Sequence, residues 1–134
     1  MSARQQLWTE MLRRILILAL FGLATVGTPL HAQAPAPFDP NLQRLAEIMG
    51  ALHYLRGICG ANEGEKWRNE LQALIDAEAP SGERRARMVA AFNRGYRGFQ
   101  QSYRTCTPAA DLVIRRYLEE GSRIARDVTA RYAN

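Results

Sequence analysis

Arginine and tyrosine are interleaved through residues 93–104, where the side-chain chemistry of this sequence is most distinctive. Tyr96 and Tyr103 are seven residues apart, and Arg97 and Arg104 repeat the same offset. Seven residues make nearly two helical turns, so a helix sets both pairs along one edge. A guanidinium fork holds carboxylate or phosphate through paired hydrogen bonds, and tyrosine is enriched at binding hot spots. Tyr96, Arg97, Tyr103 and Arg104 are therefore the candidate binding residues, with Arg94 and Gly98 beside them. Gly98 lies off the apolar face and is a candidate exposed contact. The competing assignment puts Phe99 and Tyr103 in the core and leaves the arginines on a solvated surface.

Catalytic chemistry has thinner support. His53 sits at the edge of an apolar helix face, with no nucleophile motif around it, and reads as a boundary residue or a pH-sensitive contact. Glu63, Glu65, Glu70, Asp76, Glu78 and Glu83 give residues 60–83 six acids against two bases. A solvated helix face accounts for them, because a glycosidase needs two carboxylates opposed across a cleft and calcium needs a denser loop of oxygens. No phosphate-binding glycine loop occurs, and two cysteines cannot build a four-cysteine zinc site. The expectation is no catalytic residue, no metal and no cofactor. A cell-wall enzyme or catalytic activator using His53 with Glu63 or Glu70 is the alternative. A small-ligand or metal carrier is a third reading.

Four helices would position these residues. Asp39 caps the first and Pro40 takes its first turn, with Leu42, Leu45, Ile48, Met49, Leu52, Leu55 and Cys59 on one face and Gly60 as its stop. The second runs over 63–79 with Trp67, Leu71, Leu74 and Ile75 on its apolar edge, Glu63 and Glu65 in its first turn, and Pro80 ending it. The third, 82–104, is capped by Ser81. It carries Met88, Ala91, Phe92, Gly95, Phe99, Ser102, Tyr103 and Cys106 on one side. Thr107 and Pro108 open the last, which reaches about 132 and buries Val113, Ile114, Tyr117, Leu118, Gly121, Ile124, Ala125, Val128 and Tyr132. Glu119–Arg123 and Arg116–Glu120 are spaced to pair across one turn of it. Gly95 and Gly121 mark close helix–helix approach. With 47% apolar residues, this predicts an all-α, compact bundle of about four helices with one disulfide, after a signal peptide.

The signal peptide is residues 1–32. Arg13 and Arg14 precede a 12-residue apolar run, 15–26, too short for a membrane span, and cleavage falls after Ala32 or Ala34. Residues 33–40 form a proline-rich linker and 41–134 the helical domain. Of 18 basic and 13 acidic residues, 1–32 hold three arginines and one glutamate, so the exported chain carries 15 against 12, net +3. Export places Cys59 and Cys106 in an oxidising periplasm, where two lone cysteines pair. Export also argues against nucleic acid despite the arginine–aromatic mixture, and no stable membrane span remains after cleavage.

Residues 42–60 (LQRLAEIMGALHYLRGICG), Trp67-Arg68, 90–110 (AAFNRGYRGFQQSYRTCTPAA) and 115–126 (RRYLEEGSRIAR) resemble a family of small secreted proteins of Gram-negative, alphaproteobacterial-type bacteria, filed as a domain of unknown function. The RGYRGFQQSYRTC block is its most specific part. The resemblance implies a periplasmic location and a matched cysteine pair, and it carries no catalytic residues. The reading that follows is a periplasmic, non-enzymatic module binding an envelope protein or an anionic envelope polymer, with a place in envelope growth or maintenance.

Overall fold

The computed structural model describes residues 36–79 and 82–132, without the side chain of Tyr132. The signal peptide, the cleavage region, residues 33–35 of the linker, the Pro80 stop and the Ser81 cap lie outside the described residues. Four helices are present among the described residues: α1 (Asp39–Ile58), α2 (Lys66–Glu78), α3 (Gly82–Ser102) and α4 (Pro108–Tyr132). There is no strand among the described residues, and Cys59 is bonded to Cys106. The all-α bundle with one disulfide is the observed fold.

α1 is the central element, and α2, α3 and α4 all pack on it. This explains a departure from the expected single apolar face. Ala46, Gly50 and Ala51 are buried together with Leu42, Ile48, Leu52 and Leu55. A helix enclosed on three sides needs small residues where neighbouring backbones come close, as well as large ones where side chains interdigitate. Gly50 and Gly95 show this most sharply. A methyl group on Gly50 would overlap the Phe92 carbonyl, and one on Gly95 would overlap the Glu47 carbonyl. Gly121 is looser, with Ile48 Cγ2 at 3.4 Å from the same hypothetical atom.

Pairings along α1 and α3 rise together in sequence: Gly50 with Phe92, Tyr54 with Tyr96, then Cys59 with Cys106. The two helices therefore run parallel, with their cysteine ends joined. α1 stops where expected. Gly60 takes a φ of 84°, Gly60 N–H donates to Gly57 O at 3.3 Å, and Ala61 N–H donates to Arg56 O at 2.9 Å. That is a Schellman closure, which needs a residue tolerant of left-handed backbone at this position. Thr107 caps α4 as expected, its Oγ1 accepting from Ala110 N–H at 3.1 Å.

Other local expectations are corrected. Asp39 is not the cap of α1: Phe38 holds that position, and Asp39 is the first helical residue. Its buried carboxylate accepts from Ala36 N–H at 3.1 Å and from Arg84 Nη2 at 2.7 Å. Burial pushes this carboxyl up, but Arg84, the Ala36 N–H and Arg87 together hold it below its ordinary value. Glu63 and Glu65 precede α2, with Glu65 at its cap. On α4, Leu118 and Ala125 are exposed, as Ser102 is on α3, because α4 packs mainly on α1, with Tyr117 meeting Phe99 of α3 edge-on at 5.5 Å, and buries a narrower strip than its apolar pattern suggests. The i,i+4 pairs on α4 do not form. Glu120 instead binds Arg44 of α1, at 2.8 Å from Nε and 3.0 Å from Nη2.

Candidate functional site

The candidate residues lie on the C-terminal half of α3 and just beyond it, where the parallel pairing with α1 seats their aromatic members. Tyr96 is half-buried, its ring 5.6 Å from His53 and 5.4 Å edge-on to Tyr54. Tyr103 is half-buried against Phe99 at 5.8 Å, and its carbonyl accepts a hydrogen bond from the Tyr54 hydroxyl. Both tyrosines are thus held by their neighbours, and each keeps part of its ring in solvent.

Arg97 and Arg104 are exposed, and neither makes a hydrogen bond or ion pair among the described residues. The other arginines of α3 do: Arg84 with Asp39, Arg85 with Asp76, Arg87 with Glu83 and Arg94 with Glu47. No acidic residue lies between Glu83 and Asp111 in the sequence, and no acid of a neighbouring element pairs with Arg97 or Arg104 as Asp39, Asp76 and Glu47 pair with Arg84, Arg85 and Arg94. Two guanidinium groups therefore face water beside two anchored aromatic rings. A carboxylate or phosphate arriving there meets donors with no internal competitor.

Arg94 lies three residues before Arg97 on α3, and Gly98 directly follows Arg97. Two residues apart on a helix point to nearly opposite sides, so Arg94 and Gly98 point away from Tyr96, while Arg94 and Arg97, three apart, are neighbours. Arg94 Nη2 bonds Glu47 at 3.3 Å, Glu47 meets Arg44 at 3.4 Å, and Arg44 meets Glu120 at 2.8 Å. This chain of charges ties α3 and α4 to α1. Arg44, stacked 5.1 Å over Tyr117, lowers the carboxyl pKa of Glu120. Gly98 has open space where a side chain would stand, so it is exposed as expected.

His53 sits between Phe92, at 5.9 Å, and Tyr96, and its Nε2 accepts from Arg68 Nε at 3.2 Å. Burial and then the Arg68 charge hold its pKa below 6.5, with Glu65 opposing. No carboxylate bonds to it. Glu65 reaches it only through Arg68, at 3.4 Å from that guanidinium, and Glu63 and Glu70 are not brought to the ring. An acid–base pair with His53 is not assembled among the described residues.

Glu63 departs from the solvated-face expectation. It accepts from Arg56 Nε at 2.7 Å, Arg56 Nη2 at 2.5 Å and Trp67 Nε1 at 2.7 Å. The Arg56 guanidinium chiefly, against burial and with the Trp67 N–H and Lys66 helping, holds its carboxyl at about 2. This clasp fixes the turn between α1 and α2. It escaped the sequence reading because its members sit on two helices and the turn between them, where no periodicity links them.

Asp111 Oδ1 lies 3.8 Å from Cys106 Sγ, but both cysteine sulfurs are spent in the disulfide and offer no thiolate to a metal. The cleft lined by Asp39, Arg84, Arg87 and Met88 has no interior room for a small molecule. No helix among the described residues is long and apolar enough to cross a membrane.

A family model described as a protein of unknown function, DUF2385, matches residues 37–132. The chain belongs to that family. No match is found among curated proteins or among solved structures.

Proposed function

We propose that this DUF2385 protein is an exported, non-enzymatic helical module of the Gram-negative periplasm. It docks an acidic envelope partner, a protein or an anionic polymer, on the Tyr96–Arg97–Tyr103–Arg104 edge. The single observation that carries the reading is the pair of exposed arginines without internal partners beside two anchored tyrosines. Rigid aromatic seats cost little ordering on binding, and unpaired guanidinium groups need no internal ion pair broken. The arginine-flanked apolar run at residues 13–26 supports export, and a disulfide is compatible with an oxidising compartment. A role in envelope growth or maintenance fits such a module.

The test is crosslinking capture in intact envelopes with the wild type and with Arg97→Glu/Arg104→Glu. Capture of a component by the wild type and its loss in the double variant, at an unchanged thermal melt, is the expected result. Equal capture by both would show the edge to be a solvated surface only.

A further inference from the structure

Tyr96 has a titrating neighbour, and the neighbour's hydrogen bond depends on its charge. His53 Nε2 accepts from Arg68 Nε at 3.2 Å, while the His53 ring lies against Tyr96. A nitrogen that accepts has no proton of its own, so this contact requires a neutral ring at Nε2. A proton there removes the acceptor and sets an imidazolium against a guanidinium. Arg68 is exposed and already sits 3.4 Å from Glu65, so it has a second partner to move toward. We infer that His53 makes the docking edge pH-sensitive. Protonation releases Arg68, places a new cation against Tyr96, the residue before Arg97, and strengthens the hold on a carboxylate-bearing partner. The inference rests on the docking role proposed above for Arg97 and Arg104.

The groups around His53 set the sign. From α2, Arg68 opposes a proton and Glu65 favours it. From α3, Phe92 and Tyr96 contribute aromatic ring contacts. α4 brings no ionisable group into contact with His53 among the described residues. The free protein therefore keeps His53 neutral near pH 7.5 and charges it only in acid. A partner carboxylate seated on Tyr96 and Arg97 stabilises the imidazolium, and binding and protonation must favour each other equally. A rise of one unit in the His53 pKa on binding corresponds to about a tenfold gain in affinity on acidification.

The test uses octaglutamate as probe, because its carboxylates stay mostly ionised at pH 5.0. Binding is measured at pH 7.5 and 5.0, and the His53 ring resonance, identified by its loss in His53→Gln, is followed by NMR. Up to about tenfold tighter binding at pH 5.0 is expected, together with an Arg68 Nε–H signal that shifts at the His53 midpoint. His53→Gln should bind like wild type at pH 7.5 and gain nothing in acid. Binding that needs Arg97 and Arg104 but is equal at both pH values overturns the coupling and leaves the docking role standing. Absence of binding at both values overturns the carboxylate-docking role and the coupling with it. An Arg68 signal indifferent to His53 titration overturns the switch on its own.

Discussion

Replacing Glu63 by glutamine removes a charge that three hydrogen bonds converge on, and the cost can be worked from the structure. The carboxylate takes two bonds from Arg56 and one from Trp67, and its side chain is only 18% exposed. Its pKa falls from 4.5 to about 2. At 1.36 kcal/mol per unit this is about 3 kcal/mol of stability at neutral pH. The sign follows from a lowered pKa in the folded state. The contribution is complete above pH ~5 and disappears as pH falls through 4.5 toward 2. Glutamine keeps an oxygen for Trp67 or for one Arg56 bond, so Glu63→Gln should cost about 2 kcal/mol at pH 7. Urea unfolding followed by Trp67 fluorescence and far-UV circular dichroism at pH 7, 5, 4 and 3 measures this. The gap between variant and wild type should be constant at pH 7 and 5 and shrink at 4 and 3. A variant as stable as wild type at pH 7, or a gap indifferent to acid, would refute the clasp as a source of stability.

Reducing Cys59–Cys106 should lower stability by about 4 kcal/mol in the chain-entropy model for a sequence separation of 47, read as the shift in urea midpoint with and without reductant. Gly50→Ala and Gly95→Ala should each cost several kcal/mol and lower the thermal melt sharply, because backbone carbonyls of the facing helix must move. Gly98→Ala, with open space around it, should raise stability by up to ~1 kcal/mol on the same melt. Glu120→Gln should cost about 1 kcal/mol, and Arg116→Gln and Arg123→Gln close to nothing, since Glu120 binds Arg44 rather than its own helix.

Much of the architecture could be read from local signals. Gly60 and the Thr107-Pro108 pair mark helix ends by conformations that few other residues supply, and both ends fall where those signals put them. The stripe is legible as two offsets of seven; the structure has Tyr96 and Arg97 on α3 and Tyr103 and Arg104 just past its end at Ser102. What sequence periodicity could not carry is partner choice between elements. Arg94 reads as a neighbour of the stripe, and its partner Glu47 lies on α1, where no periodicity of α3 points to it. Glu120 has a good partner one turn away in Arg116, yet Arg44 on a packed neighbour offers two bonds and lower exposure. Asp39 carries the residue type of a helix cap, and its use as the buried partner of Arg84 depends on a helix 45 residues downstream. α1 shows the same limit for packing. Its small residues look like interruptions in sequence and become contact points only once three helices close around it.

The proposed docking surface depends on the position of Arg97 and Arg104 rather than on overall basic charge. Two double variants with the same change in net charge separate these causes: Arg97→Glu/Arg104→Glu on the edge, and Arg115→Glu/Arg116→Glu on the exposed side of α4. Retention of each on isolated envelopes, measured against wild type at one ionic strength, is the direct measurement. Loss of tenfold or more at the edge, with at most a few-fold loss on α4, is predicted. Equal losses in the two variants would contradict the claim and leave only a basic protein attracted to an acidic surface.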